Sequence, residues 1–346
     1  ETELAIDADD IVLATGSRPL ALPGNPFAGA LIDSTQALEL NTLPSSAVII
    51  GAGAVALEFA SLWNAAGCEV TLLIRKDRVL STWERRASMT LTRELKRRGV
   101  NVIARTAVDR VDTGANLGAT VHYRQGDSDE DRTAYGEVVL AAIGRVPNTD
   151  ADWFRSSGLK LDERGYVTVD GYGRTNLDGV WALGDITPGH ALAHRAFEQG
   201  ITIAEKIAGA DPKPVIDDTV PQVVFSFPEA ASVGLTLDQA KAREDVVEPK
   251  ETAYPMLSNA RMLMSGEGGS MTVVSGAFAN NPDMQVVLGV HIVSPIASDL
   301  IAEAEQLVGN RVPLADAARL IHPHPTFSET LGEALLKADG RPLHTR

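Results

Sequence analysis

Between Ala47 and Ile74 the hydrophobic pattern changes period and then changes back. AVII (47–50) is a continuous apolar run of strand length, GAGAVALEFASLWNAAG (51–67) carries apolar positions at helical spacing and stops at Gly67, and EVTLLI (69–74) reads as a second strand. Strand, glycine turn, amphipathic helix and strand in about 30 residues make a βαβ unit, which predicts a parallel sheet. Upstream, IVLA (11–14) is an apolar strand running into TGSRP, and VLAAIGRVP (139–147) echoes it, so the pattern predicts two related nucleotide-binding regions. Beyond Pro147 come polar turns with short strands (GYVTVD, GVWALGD), a helix from Leu192 to Gly209, and a linker, ADPKPVIDDTVP. The rest mixes β-rich pieces (QVVFSF, SMTVVSG, QVVLGVHIV) with the helical patterns ASDLIAEAEQLVG and HPHPTFSETLGEALLKA, as an α+β domain does. The expected division is 1–43, 44–147, 148–212 and 213–346.

Composition narrows the chemistry. At 346 residues the chain exceeds the usual reach of one hydrophobic core, so more than one domain is expected. A net charge of -15 leaves no cationic excess to displace counterions from phosphate, which argues against nucleic acid as a partner. The single cysteine, Cys68, makes neither an internal disulfide nor a thiolate metal site, so no metal is expected and a reducing compartment is. Apolar runs stop at strand length, far short of the roughly 18 residues of a membrane span, and the expected location is cytoplasmic. ETELAIDADD shows no targeting pattern and enters a strand almost at once, which reads as the tail of a domain whose start lies upstream.

Gly51, Gly53 and Ala56 form a G-x-G-x-x-A turn between strand and helix. In a dinucleotide site the first glycine makes the tight turn, the second lets backbone approach a pyrophosphate, and the small third residue packs helix on strand. Ala54 and Val55 then offer helix N-terminal N–H groups to the phosphates. The alternative is a glycine-rich structural turn. The second strand of an NAD site normally ends in an acid on the ribose, yet Ile74 occupies that place and Arg75 and Lys76 follow, which suits the 2′-phosphate of NADP. The alternative there is a solvated basic turn, RKDR.

Taken together, ATGSRP, GAGAVALEFA, AIGRVPN, VWALGDITPGHALAHRAFEQG, VVFSFPEAASVGLT, LGVHIVSPIASDLIAEA and HPHPTFSE resemble, in order along nearly the whole chain, the flavin-dependent pyridine nucleotide-disulfide oxidoreductases. The spacing is nearest to the branch that oxidises dihydrolipoamide. The resemblance implies an α/β fold with two Rossmann-like nucleotide-binding domains, the FAD one incomplete here, plus a C-terminal α+β dimerisation domain, in a homodimer. It implies FAD held by Thr15, Gly16, Gly184 and Asp185, with Asp185 on the ribityl hydroxyls and the helix start at Leu192 and Ala193 facing the negative edge of the flavin. It implies NAD or NADP on the Gly51 turn, with Glu58, Gly144 and Arg145 toward the nicotinamide. Read without it, Asp185 suits a strand-to-loop turn, Glu58 an exposed helix face, and Gly144 and Arg145 a plain turn.

By the same resemblance His324 matches an acid-base residue acting on a cysteine pair of the other subunit, and Glu329 the acid that orients it. A dithiol attacks as thiolate, so a base must take its proton, and imidazole suits that task. Thr326 to Glu329 also reads T-x-x-E, a capping box in which Thr326 caps the helix and Glu329 reaches back to its N–H. His322 is the lesser candidate, because the family histidine directly precedes Pro-Thr. The expected function is electron transfer from a small dithiol, dihydrolipoamide-like, through a disulfide and FAD to NAD(P)+. The alternatives are an NADPH-dependent disulfide reductase and, for this chain by itself, a non-catalytic nucleotide-binding and dimerisation module. The chain alone is expected not to turn over dihydrolipoamide.

Overall fold

A computed structural model describes residues 4–114 and 118–345. The chain divides into two compact units, one of residues 1–20 with 145–220 and one of residues 21–144 with 221–346.

In the larger unit a parallel sheet runs in the order Leu31–Ile32, Val138–Ala141, Ser46–Ile50, Glu69–Ile74, Asn101–Ala104. Its parallel sense follows from the helices Ala54–Ala65 and Arg85–Arg97, each of which carries the chain back across the sheet. Strand Ser46–Ile50 is buried on both faces, which explains its unbroken apolar run. Ala47 and Ile49 pack with Leu57, Trp63, Leu91 and Leu95 on the helical side. Val48 and Ile50 pack with Val121 and Tyr123 of an antiparallel sheet made by Thr106–Thr113, Ala119–Gln125 and Arg132–Gly136. The second helix starts at buried Glu84, whose carboxylate accepts the N–H groups of Arg86 and Ala87 at 2.7 Å each, an anion where the helix dipole favours one.

Segment 21–43, grouped by the sequence pattern with the first nucleotide-binding region, instead supplies the buried edge strand Leu31–Ile32, and Val139 N–H donates to the Ala30 carbonyl beside it. The C-terminal antiparallel sheet belongs to this same unit, with order Gln222–Val224, Glu229–Gly234, Asn281–Ser294, Ser270–Phe278, Val246–Tyr254. Helices Ala297–Gly309 and Glu329–Ala338 cover one face of it through Leu300, Ile301, Leu331 and Leu335. Val224, Ala230 and Val293 share a core with Trp63 and Leu95, and Arg98 both pairs with Glu267 and lies 3.9 Å over the Phe227 ring. These contacts make the glycine-turn region and the C-terminal sheet one body.

In the smaller unit, Ile11–Leu13 runs parallel to Val180–Ala182 and Ser17–Pro19 runs antiparallel to Arg145–Pro147. The second pair brings the ends of the two echoing segments, SRP and RVP, side by side. Phe154, Leu159, Val167, Ala182 and Ile186 form the core. The helix expected from Leu192 runs Ala193–Ile207 and ends before Gly209, which takes a left-handed φ of +81°. Among the described residues no helix is long and apolar enough to cross a membrane.

Candidate functional site

The glycine turn sets a crowded position, Gly51, beside an open one, Gly53. Gly51 has φ +143°, and a Cβ there would lie 2.8 Å from the Ala142 carbonyl carbon and 3.4 Å from the Ala56 Cβ. Glycine is therefore required at Gly51, and Ala56 beside it is fully buried. At Gly53 the situation is opposite: a Cβ would meet nothing within 4 Å, so the turn leaves room on its outer side. Gly53 caps the helix without a side-chain hydrogen bond, so the N–H groups of the first turn, Ala54 and Val55 included, face that room without a side-chain partner at the cap. Glu58, one turn on, is half-buried rather than an exposed helix residue, and its carboxylate accepts the Phe225 N–H at 3.0 Å. Gly144 lies exposed beyond strand Val138–Ala141 with φ +144°.

At the end of the second strand, Ile74 points inward. Its side chain is fully buried with Leu72 in the helical-side core, and its carbonyl accepts the Thr106 hydroxyl at 3.1 Å. The Ile74 side chain thus packs into the core rather than beyond the strand end. Arg75 and Lys76, just beyond, are exposed, while Arg78 is taken by Asp77 at 3.0 Å.

In the smaller unit the candidates converge through a residue absent from the candidate set. Ser17 Oγ donates to Asp185 Oδ2 at 2.5 Å, and Arg145 Nε donates to Ser17 Oγ at 2.7 Å. Arg145 also holds the Ser17 carbonyl at 2.7 Å. Thr15 and Asn148 exchange hydrogen bonds at 2.9 Å, and Asn148 N–H donates to the Gly16 carbonyl, at 2.9 Å as well. Gly184 N–H donates to Gln199 Oε1 at 2.9 Å, locking the turn that carries Asp185 onto helix Ala193–Ile207. That helix starts after Leu192 with no side-chain cap, and buried Arg195 anchors it to Asp217 at 2.5 Å and to the Pro188 carbonyl at 2.6 Å. The result is a carboxylate and an uncapped helix start fixed on one scaffold.

His324 and Glu329 meet as the spacing suggests. His324 Nδ1 lies 2.8 Å from Glu329 Oε1, while Glu329 Oε2 accepts the Thr326 N–H at 2.7 Å. One carboxylate thus serves both partners, one oxygen each. Burial works against the Glu329 anion, but the Thr326 N–H and the His324 ring outweigh it and hold its carboxyl below the usual range. The expected capping box is only half formed. Ser328, not Thr326, precedes the helix, and the Thr326 hydroxyl donates to the Pro323 carbonyl at 2.6 Å. The His324 side chain is 71 % exposed, against 17 % for Glu329, so the imidazole is oriented at one nitrogen and open at the other.

A family model for pyridine nucleotide-disulphide oxidoreductases matches residues 1–200, and the dimerisation domain of the same family matches residues 220–335. The chain belongs to the pyridine nucleotide-disulphide oxidoreductase family. This is the family that the ordered motifs resemble, and its members use FAD and NAD(H). Dihydrolipoyl dehydrogenase of Cupriavidus necator is 36% identical over 342 residues, covering 98% of this chain and 70% of that protein. The enzyme of the same name from Geobacillus stearothermophilus is 37% identical over 339 residues, covering 96% and 69% respectively. The crystal structure of LpdA from Mycobacterium tuberculosis superposes with a TM-score of 0.84 at 29% identity, over 96% of this chain and 70% of that one. The HOCl-induced flavoprotein disulfide reductase RclA of Escherichia coli, at 24% identity and a TM-score of 0.83 over 95% and 74%, shares the fold.

Two further groups of this family member are structural. His322 Nε2 lies 3.0 Å from Glu303 Oε1, and its ring rests on Gly332, where a Cβ would come within 2.7 Å of the ring carbon Cε1, so it ties helix Ala297–Gly309 to helix Glu329–Ala338. The hydrogen bond to Glu303 raises its pKa against the lowering effect of burial. A raised folded-state pKa gives stability that is fully present below the unfolded value of about 6.5 and is lost as pH rises through the folded value. His322→Gln is therefore expected to cost more stability near pH 6 than near pH 9, measured by urea midpoints, after correction for the wild-type pH dependence. Cys68 is buried in the parallel-sheet core, and desolvation, with Glu137 and Glu69 nearby, pushes its thiol up to about 11. Peptide mapping after iodoacetamide treatment should find Cys68 unmodified in the native protein and alkylated after denaturation.

Proposed function

We propose that this chain carries the nucleotide-binding and acid-base parts of a flavoenzyme that oxidises a small dithiol such as dihydrolipoamide and reduces NAD(P)+. The observation that carries the reading is the His324–Glu329 pair, an imidazole fixed by a carboxylate at Nδ1 and open at Nε2. His324 Nε2 takes the proton of a substrate thiol as it becomes a thiolate and returns it in the reverse direction. Glu329 holds the ring and balances the imidazolium charge. The sulfur it serves is not Cys68, whose buried thiol stays protonated.

FAD, when bound, relays two electrons between sulfur and nicotinamide. The residues fit it: Asp185, already accepting the Ser17 hydroxyl, accepts ribityl hydroxyls, and the uncapped helix start at Leu192 and Ala193 stabilises negative charge. Thr15 and Gly16, braced by Asn148, and Gly184, braced by Gln199, hold the surrounding backbone in place. They also fit a dinucleotide: the room outside Gly53 admits a pyrophosphate to the first-turn N–H groups. Glu58, held by Phe225, and the exposed turn at Gly144 face the nicotinamide in this reading. In this reading the unit of residues 1–20 and 145–220 holds FAD, and the unit of residues 21–144 and 221–346 holds the dinucleotide and the interface. The protein works as a homodimer in which a second copy covers Leu320 and Ile321, the latter 96% exposed here.

An NADPH-dependent disulfide reductase is the second reading, favoured by the inward turn of Ile74 beside exposed Arg75 and Lys76. Assays of the intact protein, with any residues encoded upstream of Glu1, separate the outcomes. Reduction of NAD+ or NADP+ by dihydrolipoamide supports the first reading. NADPH-dependent disulfide reduction without it supports the second. A protein with neither activity and no flavin absorbance refutes both.

A further inference from the structure

Strand Asn101–Ala104 runs parallel to Glu69–Ile74 with Ala104 level with Ile74, so the residue following each strand is an arginine, Arg105 beside Arg75. Neighbouring strands lie about 4.8 Å apart, close enough for both guanidinium groups to reach one ligand. The backbone at this edge is clamped. Arg105 N–H donates to the Lys76 carbonyl at 3.0 Å, and the Arg105 carbonyl accepts the Gly126 N–H at 2.7 Å. The last carbonyls of the two strands are likewise occupied, Ile74 by the Thr106 hydroxyl at 3.1 Å and Ala104 by the Gln125 amide at 3.2 Å. Arg105 itself has φ +57°, a left-handed conformation that glycine or asparagine adopts with less strain. The fold thus keeps a long cation where a small residue would sit more easily, and such departures gather at functional positions.

Arg75, Lys76 and Arg105 are all exposed, and none has a side-chain hydrogen bond or ion pair among the described residues. The acid of the loop, Asp77, is occupied by Arg78. Three unpaired cations at one strand edge stand out on a chain of net charge -15. In a βαβ nucleotide site this edge, at the end of the second strand, is where the adenine ribose lies.

We propose that Arg105 joins Arg75 and Lys76 in binding the 2′-phosphate of NADP(H), and that it is a specificity-determining residue. The proposal rests on the dinucleotide reading of the glycine turn and deepens it by choosing the cofactor. A guanidinium fork matches phosphate oxygens in geometry and charge, and here it has no carboxylate to release first.

The test is direct binding of NADPH and NADH to the intact protein by calorimetry, with wild type, Arg105→Asn and Arg105→Lys. Asparagine tolerates the left-handed backbone while removing the charge, so the turn is kept. Wild type is expected to bind NADPH more tightly than NADH. Arg105→Asn is expected to weaken NADPH about tenfold with NADH unchanged, and Arg105→Lys to fall between. Wild-type preference for NADH, or an Arg105→Asn variant in which both cofactors weaken equally or neither does, overturns the proposal and leaves the dinucleotide reading standing. Wild type that binds neither cofactor refutes that underlying reading itself.

Discussion

Replacing His324 with glutamine should lower dihydrolipoamide-dependent turnover of the intact protein by about 10²- to 10⁴-fold, the usual contribution of a positioned acid-base group. Glutamine keeps a polar side chain of similar reach but transfers no proton, and at 71 % exposure the ring supports little packing, so folding stability should be near wild type. NAD(P)H oxidation by an acceptor without sulfur should also be nearly unchanged, because in the proposed function His324 acts on the thiol. Glu329→Gln should give a smaller loss of turnover. It weakens the hold on the ring and also the bond that Glu329 Oε2 makes to the Thr326 N–H at 2.7 Å. Steady-state kinetics with both acceptors, together with urea denaturation, separate these effects. Equal losses with both acceptors would mean that His324 supports the fold rather than sulfur chemistry.

Gly51→Ala has the second large effect, and it falls on stability. With φ at +143°, alanine is strained whatever the space, and its Cβ would lie 2.8 Å from the Ala142 carbonyl carbon and closer still to the oxygen. Backbone strain and overpacking together should cost about 2–4 kcal/mol, seen as a lower urea midpoint. Gly53→Ala provides the contrast. Its added methyl meets nothing within 4 Å and its φ of −90° suits any residue, so stability should hold while nucleotide affinity falls, because the methyl enters the space proposed for the pyrophosphate. Similar midpoints for the two variants would remove the reason given for glycine at Gly51.

The sequence made the βαβ unit legible because its three pieces differ in period and each is long enough to show it. Leu31–Ile32 was hidden because two residues carry no period; only tertiary pairing with Val138–Ala141 makes them a strand. The inward direction of Ile74 was legible: residues two apart on a strand share a face, and Leu72 and Ile74 both point to the helices. Ser17 lay in plain view inside ATGSRP, but its bonds to Asp185 and Arg145 span 168 and 128 residues, which no local pattern reports. Gln199 and Arg105 were hidden for the same reason, each meeting its partner only through the fold. The dual use of Glu329 was legible as a conflict between a capping box and a histidine partner. Geometry resolves it by giving each partner its own oxygen.

The central claim is that the open nitrogen of His324 exchanges a proton with a substrate thiol. Rapid mixing of the intact protein with dihydrolipoamide under anaerobic conditions, followed through flavin absorbance in wild type and His324→Gln, tests it most directly. The account predicts that bleaching by the dithiol slows at least a hundredfold in the variant, by the lower bound for acid-base catalysis, while bleaching by reduced pyridine nucleotide keeps its wild-type rate. Dithiol bleaching at the wild-type rate in His324→Gln would contradict it.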